Sequence, residues 1–239
     1  MSERSALQGS SRVFAAYLMP LRSIAAAIFG LIVLAAAHPG SHWAAMTLGM
    51  GPLATHMTQH ILVMNLAAPF IAWAAVELVP GAKSYGSGSA QPDALLAWAV
   101  AAQICVLWGW HAPAVFDVAV AHPPLLVAMH VSLLAVSIFF WFCILRVRGN
   151  ARWKPIVGLL ITGKLFCLLG ALLVFAPRSL YVLPSGPDVL GDQQLAGLLM
   201  IAACPLTYVL AGVVIAARWL AELESPEDSS IAHPVRPGF

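Results

Sequence analysis

Within the stretch Thr55-His56-Met57-Thr58-Gln59-His60-Ile61-Leu62-Val63-Met64, His56, His60 and Met64 follow one another at intervals of four, at the head of a long apolar run. Residues four apart share a face of an α-helix, so the spacing predicts two imidazoles and a thioether on one stripe, with Met57 beside it. Imidazole suits copper, zinc and iron, whereas thioether selects Cu(I). The run continues to Leu78 almost without charge, and polar groups at membrane depth are costly enough to point to a role. A lone histidine near a helix end can do no more than bond a neighbouring carbonyl. A pair at ligand spacing supports a metal and a purely structural role equally.

The elements that carry these residues follow from composition. The 239 residues are 61% hydrophobic and only 9% charged, against about 25% charged in soluble domains, and the mean hydropathy is +0.87. Such a chain cannot cover itself with polar surface, so we expect an all-α, polytopic membrane protein embedded in a lipid bilayer. A net charge of +2 with no basic stripe excludes nucleic acid as a partner. Cys105, Cys143, Cys167 and Cys204 stand singly in separate apolar runs, as small core residues do, and form no dithiol or zinc motif.

Three regions are expected: a basic leader over 1–22, a transmembrane helical domain over 23–219 and a disordered acidic tail over 220–239. The first apolar segment, Ser23 to Ala37, is short for a span and its Ala35-Ala36-Ala37 ending also resembles a secretory signal. We read it as a retained span. Further runs start at Pro52, Pro92, Pro124, Pro155 and about Asp192, giving about six spans, with a Gly/Ser-rich linker from Gly81 to Gln91. Arg4, Arg12, Arg22, Lys83, Arg146, Arg148, Arg152, Lys154, Arg218 and Arg236 fall at alternate boundaries, whereas the intervening ones hold only Arg178, so the positive-inside rule places both termini in the cytoplasm. The loops 38–51 and 112–123 then lie outside, together with His38, His42, His56, His60, His111, His122 and His130.

Depth narrows the ligand set. At about 1.5 Å per residue, His56 and His60 lie about 6 and 12 Å below Pro52, and His130 about 9 Å below Pro124. These three can meet and are the expected metal ligands. His111 at the rim and Met64 one turn deeper come next, and Asp192 opens the sixth span either as a ligand or as its N-cap. His38, His42 and His122 are expected in loops as solvated side chains. Met46, Met50, Met57, Met64 and Met129 share the outer half, which suits Cu(I), although methionine also fills cores. For Lys164, near mid-bilayer, a functional role and snorkelling to the cytoplasmic side both stand.

Three ordered blocks carry a family resemblance: His56-Met57-x-x-His60 with Ala67-Ala68-Pro69; Trp110-His111-x-Pro113 with Phe116-Asp117, His122-Pro123 and Met129-His130; and Asp192-Gln193-Gln194-Leu195-Ala196-Gly197-Leu198-Leu199-Met200. Together they resemble the caa3-type cytochrome c oxidase assembly factor family, CtaG. Relatives often carry an acidic residue at the place of Met129 and a Trp at that of Ile201, and many have a further span. The resemblance implies a membrane-integral factor, not an enzyme, that assembles a haem-copper oxidase by serving its copper centre in a bacterial-type inner (plasma) membrane. Its partners would be oxidase subunits and a periplasmic copper donor, and the residues carried over are His56, His60, His111, His130, Asp192 and Gln193. Two other classes remain: a b-type haem protein, which needs paired deep histidines on facing helices, and a copper transporter, which needs ligands in both leaflets.

Overall fold

The structure is a computed structural model that describes residues 2–78, 90–182 and 188–224. Its regular elements are helices: α1 (Ser2–Leu48), α2 (Pro52–Ile61), a π-helical turn (Leu62–Ala67), α3 (Ala68–Leu78), α4 (Ala90–Trp110), α5 (Pro113–Ala121), α6 (Pro123–Arg146), a 3-10 turn (Gly149–Ala151), α7 (Trp153–Phe175) and α8 (Val189–Glu224). Five helical stretches are long and apolar enough to cross a membrane, and the bent pair α4–α5 makes a sixth. The protein is a polytopic helical bundle, as its composition requires.

The first span departs from expectation. α1 starts inside the segment read as a leader and runs past Ala37, so His38 and His42 stand on a helix and not in a loop. Pro39 removes one backbone donor, the one that would serve the Ala35 carbonyl, yet the helix continues; beside it the Ser41 hydroxyl donates to the His38 carbonyl at 2.9 Å. It ends where Gly49 takes a left-handed φ of 66° and the Met50 N–H reaches back to the Ala45 carbonyl at 3.0 Å. That 6→1 bond is a Schellman ending, which glycine permits at no steric cost. α1 buries Ala26, Ala37, Ser23 and Ser41, and Gly30 lets it lie close on α3, because a Cβ there would meet Ile71 Cγ1 at 2.7 Å.

The second span is one apolar run with a π turn in its middle. The Ala68 N–H bonds the Val63 carbonyl, five residues back, and the same register would pair the Met64 carbonyl with residue 69. Residue 69 is proline and has no N–H to give. The indole N–H of the buried Trp141, on α6, supplies the missing donor at 3.1 Å, so the carbonyl is satisfied from a neighbouring helix. This is the structural content of the Ala67-Ala68-Pro69 sequence.

Two expected loops are shorter than read. Residues 112–123 contain α5, which leaves α4 at 72° because Ala112 precedes a proline and is held extended at φ −63°, ψ 127°. α8 runs on to Glu224, so residues 220–224 of the expected tail are helical; the rest of the tail lies outside the described residues, as do Lys83 and most of the linker 81–91. α7 and α8 cross with almost no side chain between them. A Cβ on Gly197 would sit 2.5 Å from the Gly170 carbonyl oxygen, and one on Gly170 would sit 2.9 Å from that of Gly197. Lys164 is exposed on the outer face of α7. Its side chain faces away from the described core, from where a lysine can snorkel.

Candidate metal centre

Four histidines from three elements converge in the half of the bundle where α2 begins and α4 ends. α2 supplies His56 and His60, the end of α4 supplies His111, and α6 supplies His130. The His56 and His60 Nε2 atoms are 2.7 Å apart, as expected for one helical turn. Ring centroids lie 5.4 Å apart for His60 and His111, 4.9 Å for His60 and His130, and 5.4 Å for His56 and His130. By ring centroids His130 is nearer than His111 to the α2 pair, His56 and His111 being 6.3 Å apart, whereas by ring nitrogens a compact set includes His111. One ring nitrogen each from His56, His60 and His111 lies within 4.8 Å of the others, while His130 stands beside them.

The reason is the α4–α5 break. His111 is still held by the last turn of α4, its N–H bonding the Leu107 carbonyl at 3.1 Å, and the bend beyond it leaves the ring facing α2. Its backbone carbonyl, freed by the break, accepts the Tyr181 hydroxyl at 2.9 Å. Burial first and the Asp117 carboxylate second push the Tyr181 phenol above its ordinary pKa, so it stays a donor. Trp110 next door is fixed by its indole N–H to the Ser132 hydroxyl at 2.9 Å, and Phe116 of α5 is packed against both His56 and His111.

Hydrogen bonding sets the tautomers. His111 Nδ1 donates to the Leu107 carbonyl at 2.7 Å and His130 Nδ1 to the Leu126 carbonyl at 2.8 Å. In each neutral ring the other nitrogen, Nε2, therefore carries a lone pair. His111 Nε2 is buried and has no hydrogen-bond partner. A buried polar atom without a partner costs about 1–3 kcal/mol, and its direction toward His60 and His56 fits a metal ligand, with Leu107 as the carbonyl that orients the ring.

Soft donors lie on one side of this cluster. Met57 and Met64 are buried and, with His60, His111, Met200 and Cys204, line a cavity of about 20 Å³. On the other side His56 and His130 face a larger cavity of about 860 Å³. Cys204 accepts a long hydrogen bond from Asn65 at 3.7 Å.

Asp192 lies outside the histidine group and does not cap its own helix. Asp188 does that, accepting the Gly191 N–H at 2.8 Å. The Asp192 carboxylate instead accepts the N–H groups of Leu53 at 2.8 Å and Ala54 at 3.1 Å. It caps α2, whose own N-cap residue, Gly51, has no side chain to offer. Gln193 is fully buried and ties down the α7–α8 loop, accepting the Leu180 N–H at 2.7 Å and donating to the Leu173 carbonyl at 3.1 Å. Of the remaining histidines, His122 is exposed between α5 and α6, and His38 and His42 pair on α1 with ring centroids 4.6 Å apart.

Sequence reasoning missed Gln59, whose side-chain amide lies between His38 Nδ1 at 3.1 Å and His130 Nε2 at 3.3 Å. The structure sets the amide oxygen against His130 Nε2 and the amide nitrogen against His38 Nδ1; with a lone pair on the Nε2 of neutral His130, the bond to His130 forms with the amide turned over, so that its nitrogen donates. A polar residue between two histidines in an apolar run was the available signal. Trp141 and Tyr181 left no comparable signal.

Fold and site together define a polytopic helical membrane protein with a buried histidine cluster that, among the described residues, no carboxylate joins. A family model described as cytochrome c oxidase caa3 assembly factor (Caa3_CtaG) matches residues 9–222. The chain belongs to this family of cytochrome c oxidase caa3 assembly factors. Comparison with curated proteins finds no match, and comparison with solved structures finds none either.

Proposed function

We propose that the protein binds one Cu(I) ion at His56, His60 and His111, with His130 and the thioether of Met64 adjacent, and supplies it to a haem-copper oxidase during assembly. The observation that carries the reading is the buried His111 Nε2, a lone pair oriented by Leu107 and left without a partner. Two nitrogens at about 2.0–2.1 Å from one tetrahedral ion would lie roughly 3.3 Å apart. The 2.7 Å bond between His56 and His60 would then open on binding, and the ring that donates in it would take its other tautomer, with its proton on Nδ1 and the Nε2 lone pair free for the ion.

Charge favours the monovalent ion. Three neutral imidazoles leave the ion's full charge in a low-dielectric interior, and among the described residues no carboxylate joins the group that could hold it. A single charge costs far less to bury than a double one, and the neighbouring methionines suit a soft ion. The protein acts here as a carrier, not an enzyme, and copper is its cargo.

The test is metal analysis of the purified protein with Cu(I) affinity measured against a competing chelator, alongside a visible spectrum. One Cu(I) per chain, strongly reduced in His60→Ala and His111→Ala variants that keep their thermal stability, is the expected result. The 860 Å³ cavity beside His56 and His130 has room for a macrocycle, which favours the haem class as the second reading. A Soret band in the isolated protein would establish that reading and overturn copper.

A further inference from the structure

The 860 Å³ cavity touches two histidine groups at once. His38 and His42 of α1 line it from one wall, and His56, Gln59 and His130 from the other. Its rim includes Val127 and Val131 of α6, both 60–61% exposed, and the exposed His38 and His42, so the cavity opens at the surface. The buried cluster stands between this opening and the small cavity of thioethers beyond it, since His56 and His130 face the first and His60 and His111 face the second.

A run of donors at contact distance joins the two groups. The His42 ring lies on that of His38, centroids 4.6 Å apart; His38 Nδ1 is 3.1 Å from the Gln59 amide; the amide is 3.3 Å from His130 Nε2; and the His130 ring is 4.9 Å from that of His60. His38 and His42, one turn apart on a helix, have the spacing of a two-nitrogen metal site. Half of the residues that line the cavity are alanine, valine and leucine, and besides its histidines it offers an ion the Met50 thioether and the Thr55 and Gln59 oxygens; a bare ion in such surroundings is costly.

We propose that His38 and His42 form an outer Cu(I) subsite, from which the ion passes by way of His130 to the buried trio, with Gln59 as the latch that must release His130 Nε2 before it can bind. Each step is an exchange of one neutral nitrogen ligand for another. Cu(I) stays Cu(I), and the latch closes again once the ion has moved to His56, His60 and His111. The proposal rests on the copper reading above and adds the route and its gate.

A route, unlike a ligand, changes rates and leaves the equilibrium alone. The experiment uses the full-length protein in lipid nanodiscs, loaded anaerobically from a coloured Cu(I)–chelator complex, with copper content and the rates of loading and of return to excess chelator both recorded. The His38→Ala/His42→Ala double variant should reach the wild-type copper content but load and unload about tenfold more slowly, equivalent to a barrier higher by about 1.4 kcal/mol. The His38→Gln/His42→Gln pair, which keeps side-chain bulk and hydrogen bonding, should slow equally, and His122→Ala, on the same surface but off the cavity, should match wild type in both readings. Unchanged rates in the double variants would overturn the route. So would a loss of equilibrium copper in step with the rate, which would make His38 and His42 ligands of the buried ion, or equal slowing in His122→Ala. A wild type that takes up no Cu(I) would overturn the copper reading itself, and the route with it.

Discussion

Asp192 of α8 caps α2 from a distance of 139 positions in the chain, its carboxylate accepting the Leu53 N–H at 2.8 Å. The helix that presents His56 and His60 thus begins on a side chain from the last span. Gly51 makes the approach possible, because a Cβ there would lie 2.3 Å from the Asp192 carboxyl carbon. α8 is in turn pinned to α7 through Gly170 and Gly197. The position of the histidine pair is therefore set by the whole bundle.

An Asp192→Ala variant should lose about 1–2 kcal/mol of stability, the usual worth of an N-cap, while retaining near-stoichiometric copper at saturating metal. Thermal unfolding in detergent and metal analysis on the same sample give both values. Complete loss of copper with an unchanged melting temperature would make Asp192 a ligand and contradict the capping role. Gly51→Ala should destabilise in the same way, by displacing the carboxylate.

Trp141→Phe should cost about 1–3 kcal/mol, because it leaves the Met64 carbonyl buried and unpaired. Pro69→Ala restores an N–H at the position that the π register requires. In a double-mutant cycle the cost of Trp141→Phe should shrink in the Pro69→Ala background. Additive effects of the two substitutions would show that Trp141 acts through packing alone.

Among single histidine variants, loss of bound copper should be near-complete for His56→Ala, His60→Ala and His111→Ala, and partial for His130→Ala, whose Nε2 already has Gln59 as a partner. Copper content after gel filtration, with folding verified by thermal stability, ranks them. Equal retention in His111→Ala and wild type would remove the centrepiece of the proposed site.

Cells lacking this protein should show low haem-copper oxidase activity at limiting copper and recover part of it when copper is added, since mass action replaces a delivery factor in part. Oxidase activity in membranes across a copper series reads this directly. Full activity in the deletion strain at limiting copper would sink the delivery role.

Topology is tested by cysteine labelling in a background without native cysteines. Ala121→Cys and Trp153→Cys both place the thiol at positions exposed in the fold. The Lys/Arg distribution predicts outer labelling for the first and cytoplasmic labelling for the second. The reverse pattern would turn the whole bundle over.

Much was decided by the sequence itself. Burial of apolar surface in lipid leaves only helices and closed barrels as spanning structures, so 61% hydrophobic residues in long uncharged runs were enough to determine an all-helical, multi-span bundle. The His56/His60 pair was equally legible, because both ligands lie one turn apart on one element and their geometry is local. Ends of elements were less so. Pro39 and Pro113 both break the pattern of backbone donors, yet at one the helix continues and at the other it turns by 72°.

What tertiary structure alone decided is which groups meet across elements. Depth below a helix start measures one coordinate of a side chain and leaves its rotation about the helix axis open, so it ranked His130 ahead of His111. The α4–α5 bend brought His111 into the compact trio. The same limit applies to Asp192, a sound N-cap by sequence that caps a different helix, and to Trp141, whose partner is a carbonyl 77 positions away. Local spacing is written along the chain, whereas contacts between spans depend on how the helices pack and rotate against one another, and that is settled only when the bundle closes.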